Sequence, residues 1–176
     1  MNKKIKNIAL IGMPGCGKST VGKTLSQVMN RPLADIDSLI EESAGKNIPR
    51  IFAEDGEEEF RRLETRTLRS ALRRALGREA AKSGIVIAAG GGVVTRPENL
   101  ELLRQNSVIV YLKRALKDLE VKGRPLSGSV GIEALAAQRL HLYEEWCDYA
   151  VQVENNPQET AMRILQTLEF PVNDIN

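Results

Sequence analysis

One glycine-rich loop constrains the fold of this chain more than any other feature. Residues 12–19 read GMPGCGKS and fill the pattern GxxxxGK[ST]. The apolar run Ile8–Ile11 before the loop is typical of a buried strand in a parallel sheet, whereas Val21, Leu25 and Val28 after the loop repeat with helical spacing. A strand, a glycine-rich loop and a helix in this order predict a nucleotide-binding phosphate loop.

The residue types in this loop suit the binding of ATP and Mg²⁺. Glycines let backbone N–H groups turn towards phosphate oxygens, and the N-terminus of the following helix adds partial positive charge. Lys18 is expected to reach the β- and γ-phosphates, and the Ser19 hydroxyl is expected to hold Mg²⁺. Cys16 is either a small residue that the loop tolerates or a redox-sensitive thiol. The predicted nucleotide-binding residues of the loop are Gly12, Gly15, Cys16, Gly17, Lys18, Ser19 and Thr20.

Short apolar runs alternate with helical segments along the whole chain. This alternation predicts an α/β fold in which helices cover both faces of a mostly parallel sheet. Together with the phosphate loop it predicts a three-layer P-loop fold with a mostly five-stranded sheet, in one domain that spans residues 1–176. Glycine and proline in the later part of the chain predict a mobile lid at 113–130. The predicted strands lie within 8–11, 31–37, 85–89, 108–112 and 150–153. One helix is predicted to begin at residue 18, and four others are predicted over 38–44, 57–78, 132–146 and 158–168.

Charge balance and cysteine content argue against several classes of protein. The 25 basic and 23 acidic residues give a net charge of +2, too balanced to indicate nucleic-acid or membrane binding. The two cysteines show no metal-ligand spacing, and a reducing compartment is the default for such a chain. The first apolar run is too short for a signal peptide or a membrane span. We therefore expect a cytoplasmic protein, and a monomer, because no long apolar surface is left unaccounted for.

Two aspartates follow the second predicted strand. Asp35 and Asp37 are expected near the carboxyl edge of the sheet, where ligands bind in open α/β folds. One carboxylate there can accept a proton from a substrate hydroxyl, and another can orient water on Mg²⁺. Either aspartate can instead cap the helix that follows. The residues alone leave both alternatives open.

Three arginines and a run of glycines are further candidates for ligand binding. Arg61 stands beside an aromatic residue at a helix start and suits a bidentate contact with a carboxylate, whereas the other arginines of that helix are expected to form a solvated stripe. Gly90-Gly91-Gly92 either lets a ligand lie against the backbone or forms a flexible turn. Arg124 lies in the predicted lid and can swing onto a transferring phosphate. Arg139 is an anion-binding candidate, although a lone helical arginine is usually a surface residue.

As a set, these segments resemble shikimate kinase, a family of the nucleoside monophosphate kinase-like P-loop group. They fall in the order that the family shows and span nearly the entire chain. The combination of GE..FR, GGG and the lid sequence RPL is quite specific to that family. The matching segments are GMPGCGKST at 12–20, DID at 35–37, FAEDGEEEFR at 52–61, GGG at 90–92, RPL at 124–126 and RLHLYEE at 139–145.

The resemblance implies transfer of the γ-phosphoryl group of ATP to the 3-hydroxyl of shikimate, in chorismate and aromatic amino-acid biosynthesis. Asp37 would contact the ring hydroxyls and help to take the proton from the attacking one. Arg61 and Arg139 would hold the shikimate carboxylate, with the backbone of Gly90-Gly91-Gly92 beside the ring.

On the nucleotide side, the resemblance implies that Asp35 acts through water on Mg²⁺ and that Arg124 closes over ATP. Lys18, Asp37 and Arg124 are then the catalytic residues. Such a site works by positioning and charge neutralisation, without covalent catalysis by the protein.

Two other classes of function share the phosphate loop. A gluconate kinase or a nucleoside monophosphate kinase is not expected to carry GE..FR and GGG together with Asp37. A nucleotide-binding regulatory module without turnover would be expected to have lost at least one of the charged candidates, and all of them are present. Shikimate kinase is therefore the leading hypothesis, with shikimate and ATP as the predicted ligands.

Overall fold

A computed structural model describes residues 7–75, 83–119 and 131–170 of the chain. Five strands form one sheet, and every strand pair in it is parallel. The strands are β1 Asn7–Ile11, β2 Leu33–Asp35, β3 Val86–Ala88, β4 Ser107–Lys113 and β5 Tyr149–Gln152. The order across the sheet is β2-β3-β1-β4-β5, so the strand before the phosphate loop lies in the centre. The predicted five-stranded parallel sheet is confirmed.

Six α-helices and two short 3₁₀ helices connect the strands in the described ranges. Two of the α-helices begin with proline, at Pro97 and Pro157, where the missing N–H group costs no helical hydrogen bond. Each of these helices is too short or too polar to span a bilayer. The α-helices are α1 Lys18–Val28, α2 Ile36–Ala44, α3 Ile48–Ala75, α4 Pro97–Arg104, α5 Ile132–Trp146 and α6 Pro157–Thr167, and the 3₁₀ helices are Val93–Thr95 and Leu116–Asp118.

The hydrophobic core is built around β1. All five residues of β1 are buried, which explains why its sequence is continuously apolar after Asn7 and does not alternate. The strand pairs with β3 on one side and β4 on the other, so that Ile8 lies beside both Val86 and Val108. Helix α1 packs against α6, and α2 packs against α3. Helix α1 also packs against β1, β2 and β3, and α4 and α5 pack against β4, so helices lie against the strands of the sheet.

Two element boundaries differ from the sequence prediction. Helix α2 begins at Ile36, two residues before the predicted start at Ser38, because the Asp35 carboxylate accepts a hydrogen bond from the Ser38 amide and caps the helix. Helix α3 begins at Ile48 and contains a break at Gly56, whose φ of 82° and ψ of 169° are not helical. The part after Gly56 corresponds to the helix predicted from Glu57.

Other differences concern short elements. Helix α4 was not predicted, because its eight residues carry too few apolar positions to show a helical period. The predicted end of the long helix, at residues 76–78, lies outside the described residues. The same is true of residues 120–130, which make up most of the predicted lid.

Candidate active site

The phosphate loop is shaped by glycines at positions that other residues adopt only with strain. Gly12, Gly15 and Gly17 have φ values of 149°, 79° and 104°. Gly12 also has no room for a side chain, because a Cβ there would lie 2.8 Å from the carbonyl oxygen of Leu112 in β4. The loop between β1 and α1 is therefore held tightly against the end of β4.

The side chains of the loop divide into a buried and an exposed group. The Lys18 ammonium donates hydrogen bonds of 2.9 Å to the carbonyl oxygens of Gly12 and Met13, and the residue is only 8% exposed. Ser19 and Thr20 are exposed in the first turn of α1, where their hydroxyls can meet a ligand. The hydroxyl chemistry of Ser19 fits a magnesium ligand.

Cys16 is fully buried, with its sulfur 3.8 Å from Lys18 Nζ. Burial of the thiol favours the interpretation that Cys16 is a small packing residue, since redox-sensitive cysteines are accessible to solvent.

The two aspartates after β2 have different surroundings. Asp35 Oδ1 accepts a hydrogen bond of 3.2 Å from the Ser38 amide, so this carboxylate caps α2. Asp37 lies in the first turn of the same helix and is half-buried. A Cβ atom on Gly90 would lie 2.9 Å from Asp37 Oδ1, which means that this carboxylate faces the triple glycine.

Arg61 belongs to a buried ion pair and not to the solvated arginine stripe. Its Nη1 donates a hydrogen bond of 2.9 Å to Glu64, and its Nη2 donates one of 3.2 Å to Glu57. Arg61 is 6% exposed and Glu64 is fully buried. The guanidinium also lies 5.1 Å from the centre of the Phe60 ring. In contrast, Arg62 lies on the exposed face and pairs with exposed glutamates, as predicted for the solvated arginines of this helix.

Glu64 is a site residue that the sequence reasoning missed. Burial raises the pKa of Glu64, the Arg61 guanidinium opposes that shift, and the nearby Asp37 carboxylate adds to it. The only sequence signal was the three-residue spacing from Arg61, which is equally typical of an exposed helical ion pair. The carboxylate of Glu64 therefore enters the site through tertiary packing.

The triple glycine is a packing surface for the charged groups. A Cβ would lie 2.1 Å from Glu64 Oε1 if placed on Gly90, 2.7 Å from the Pro14 side chain if placed on Gly91, and 1.9 Å from Arg61 Nη1 if placed on Gly92. None of the three glycines has a positive φ. Glycine is needed here for space, because side chains of α3 and of the phosphate loop approach this backbone closely.

Arg139 is buried, unlike the usual lone helical arginine. It is 3% exposed, and its Nη1 donates a hydrogen bond of 3.4 Å to the Gly91 carbonyl oxygen. The Tyr143 hydroxyl, one turn further along α5, donates a 2.5 Å hydrogen bond to the same oxygen. Burial raises the pKa of Tyr143 well above its usual value, so the hydroxyl keeps its proton. Tyr143 is a second residue whose position at the site sequence reasoning missed.

The carboxyl ends of three strands thus bring most of the candidate residues together. The phosphate loop follows β1, the aspartates follow β2 and the triple glycine follows β3. Two carboxylates and two guanidiniums converge on the triple glycine, and Pro14 joins this cluster to the phosphate loop. We call this arrangement the charged cluster; its residues are Asp37, Arg61, Glu64, Gly90, Gly91, Gly92 and Arg139. Arg124 lies outside the described residues.

Known proteins are similar to this chain in sequence. A profile of the shikimate kinase family matches residues 14–169. The shikimate kinase of Dictyoglomus turgidum is 36% identical over 173 residues, which cover 92% of this chain and 96% of that protein. The shikimate kinase of Dehalococcoides mccartyi is 37% identical over 161 residues, which cover 87% of each chain.

Solved structures give the same result. The shikimate kinase of Acinetobacter baumannii, in complex with shikimate, superposes with a TM-score of 0.83 and 32% identity, over 99% of this chain and 97% of that chain. The shikimate kinase of Aquifex aeolicus superposes with a TM-score of 0.75 and 32% identity, over 93% and 96% of the two chains.

Proposed function

This chain belongs to the shikimate kinase family and is an ATP-dependent kinase that phosphorylates a shikimate hydroxyl, and from that premise we propose how its own residues carry out the transfer. The observation that carries the proposal is the charged cluster beside the phosphate loop. It unites a half-buried carboxylate with two buried guanidiniums, next to a loop that fits a polyphosphate.

The acceptor end of the site is assigned to the charged cluster. Arg61 and Arg139 bind the shikimate carboxylate, because two buried guanidiniums provide the forked donors that a carboxylate matches. The backbone of Gly90-Gly91-Gly92 lies beside the ring. Asp37 contacts the ring hydroxyls and accepts the proton of the 3-hydroxyl.

The nucleotide end is assigned to the phosphate loop and α1. Gly12, Gly15, Cys16 and Gly17 contribute backbone to the phosphates, and Ser19 and Thr20 contribute their amides and hydroxyls. Lys18 moves its ammonium from the Gly12 and Met13 carbonyls to the β- and γ-phosphates. Arg124, as the lid arginine, adds positive charge over the phosphates.

The residues at this edge of the sheet also fit Mg²⁺. Within the described ranges no three His, Cys, Asp or Glu side chains cluster as a metal site. Such a set is not needed, because Mg²⁺ is commonly held by one or two protein oxygens together with waters and substrate phosphates. Ser19 would supply its hydroxyl, and the free lone pairs of the Asp35 carboxylate would hold a metal-bound water. The ion, when bound, supplies neutralisation of phosphate charge.

The reaction then needs no covalent enzyme intermediate. The 3-hydroxyl oxygen attacks the γ-phosphorus, the bond to the β–γ bridging oxygen breaks, and ADP leaves with that oxygen. The proton of the 3-hydroxyl passes to Asp37. Lys18 and Arg124 neutralise the charge that develops on the phosphoryl oxygens.

Expectations about domain organisation, compartment, oligomeric state and partners are part of the same proposal. One sheet with a central phosphate loop supports a single kinase domain over residues 1–176. Free thiols at Cys16 and Cys147 are compatible with a reducing, cytoplasmic setting. The monomeric state and the absence of nucleic-acid and membrane partners stay predictions from composition.

The activity is tested by measuring ADP release from Mg-ATP with shikimate, gluconate, AMP or no acceptor. We expect rapid ADP formation only with shikimate and formation of shikimate 3-phosphate in equal amount. Turnover with gluconate or AMP instead would assign the chain to a different kinase. ATP binding without turnover on any acceptor would contradict the kinase function.

A methyl group on Gly92 is expected to displace Arg61. In Gly92→Ala the new Cβ would lie 1.9 Å from Arg61 Nη1, so the guanidinium must leave its position beside the backbone. Because small misplacements of a binding group have large kinetic effects, we expect KM for shikimate to rise about 100-fold with KM for ATP unchanged. Steady-state kinetics with each substrate varied in turn measure both values.

The matched control for this variant is Gly45→Ala. Gly45 has a φ of 65° and open space around its Cβ position, so the substitution adds a methyl group and backbone strain away from the charged cluster. The control is expected to lower the melting temperature slightly and to leave both KM values unchanged. An unchanged KM for shikimate in Gly92→Ala would refute the assignment of Arg61.

Replacing Glu64 by glutamine tests whether this buried carboxylate positions Arg61. Without that carboxylate, the ion pair that Arg61 keeps among the described residues is the one with the half-exposed Glu57, and we expect KM for shikimate to rise about 10- to 100-fold. The pKa of Glu64 is raised by burial, so the folded state binds this proton more tightly than the unfolded chain does. Wild-type stability therefore loses free energy as the pH rises above the unfolded pKa of about 4.3.

Glutamine cannot titrate, so that loss is absent in the variant. The melting temperature of Glu64→Gln minus that of the wild type is expected to increase between acidic and neutral pH, measured by thermal unfolding across that range. A pH-independent difference together with an unchanged KM for shikimate would remove Glu64 from the site.

A further inference from the structure

The end of strand β4 carries an arginine beside the phosphate loop. Strand β4 pairs with β1 up to Tyr111, opposite Ile11, and the chain then continues along the loop. A Cβ on Gly17 would lie 3.8 Å from Arg114 Nη1, so this guanidinium reaches the residue that precedes α1. Among residues 113–123, Arg114 is the only arginine.

The direction of the Arg114 side chain follows from its neighbour. Lys113 points towards α5, where its ammonium forms a 3.0 Å ion pair with Glu144. Since consecutive side chains of an extended chain point to opposite sides, Arg114 lies on the side of the phosphate loop and α1. Arg114 is half-buried, and within the described ranges its guanidinium forms no ion pair with a carboxylate. A positive charge is thus held next to the loop without a described protein partner.

We propose that Arg114 binds the polyphosphate chain of the nucleotide from the β4 side of the loop. The inference rests on the proposed nucleotide site. The free N–H groups of the first turn of α1 draw phosphate oxygens to Gly17, and a guanidinium next to that residue can donate two hydrogen bonds to one phosphate. Lys18 lies over the carbonyls of Gly12 and Met13, so the two cations approach the anion from different positions.

The position of Arg114 gives it a role different from that of Lys18. Arg114 follows directly on a buried strand of the central sheet, so its backbone is held in place before a ligand arrives. A group in this place contributes to ground-state nucleotide affinity, because it is next to the phosphate-binding end of α1 whether ATP or ADP is bound. We therefore assign Arg114 to nucleotide binding and not to the chemical step.

The test compares Arg114→Gln with the wild type and with Lys117→Gln. Lys117 is exposed on the 3₁₀ helix Leu116–Asp118, so its substitution removes one positive charge from the same segment without touching the loop. Affinities for ADP and adenosine are measured by displacement of a fluorescent ADP analogue from the full chain. Shikimate affinity is measured separately by calorimetry.

We expect Arg114→Gln to weaken ADP binding about 10- to 100-fold, the range for loss of a charge-assisted contact, with adenosine and shikimate affinities unchanged. Lys117→Gln is expected to bind ADP as the wild type does. Unchanged ADP affinity in Arg114→Gln, equal weakening of adenosine, or equal weakening in Lys117→Gln would each overturn the proposal. The wild type provides the separate check on function, since failure of the wild type to bind ADP would contradict the nucleotide site itself.

Discussion

Replacing Asp37 by asparagine is expected to lower kcat by about 10²- to 10⁴-fold, the usual contribution of a general base. Asparagine has nearly the same shape as aspartate and fits the same place in the first turn of α2, but its amide accepts no proton at neutral pH. The Asp37 carboxylate faces Gly90 in the same cluster as the two buried arginines, so the variant changes charge and basicity where the acceptor hydroxyl is expected. Pre-steady-state and steady-state rates of ADP formation with saturating shikimate measure the loss.

Binding measurements separate loss of the base from loss of the pocket. The affinity for ATP is expected to stay within about threefold of the wild type, whereas the affinity for shikimate falls less than kcat does, because the asparagine can still hydrogen-bond a ring hydroxyl. Asp118→Asn, on an exposed 3₁₀ helix, is the control for the substitution and should keep wild-type rates. A kcat within threefold of the wild type in Asp37→Asn would exclude this carboxylate as the base.

The charged cluster illustrates which parts of a site a sequence can reveal. Asp37 and Arg61 could be named as candidates because each stands near a strand end or a helix start, but the residues alone left Asp37 open between a base and a helix cap, and the family resemblance favoured the base. Glu64 was not predictable, because a glutamate three residues after an arginine has the same local pattern in an exposed helix. Only the packing of α3 against Gly90 buries this carboxylate, and that contact joins residues 26 positions apart.

The triple glycine was ambiguous for a related reason. A flexible turn and a backbone that a ligand approaches closely require the same residue type, and the sequence does not show which side chains approach the glycines from other elements. The strand–loop–helix arrangement of the phosphate loop, by contrast, could be predicted, since its three parts are consecutive in sequence. Local features of this fold could therefore be predicted from the sequence, and contacts between distant segments could not.

The same distinction applies to Arg139. Its helical neighbours give it the appearance of a surface arginine, whereas tertiary packing buries it and brings its guanidinium to the Gly91 carbonyl, 48 residues away in sequence. Sequence reasoning named the residue only because the family resemblance extends over 139–145. Physical argument from the residue alone would have left it on the surface.

Replacing Lys18 by methionine is expected to lower kcat by about 10²- to 10³-fold, the effect of removing one preorganised donor to a developing charge. Methionine keeps the length and most of the volume of the side chain, so the change is mainly the loss of the ammonium group. In the structure this group donates hydrogen bonds of 2.9 Å to two carbonyl oxygens of the phosphate loop and is nearly buried, so it is held within the loop. ADP formation under saturating shikimate and ATP gives kcat directly.

Lys23→Met provides the matched control, because Lys23 is an exposed residue of the same helix and loses the same charge. The control should retain wild-type kcat and KM for ATP, whereas shikimate affinity should be normal in both variants. The Gly12 and Met13 carbonyls lose a donor in Lys18→Met, so thermal unfolding is measured alongside to show that the fold survives. A folded Lys18→Met enzyme that keeps kcat within threefold of the wild type would mean that phosphoryl transfer in this chain does not depend on the loop lysine.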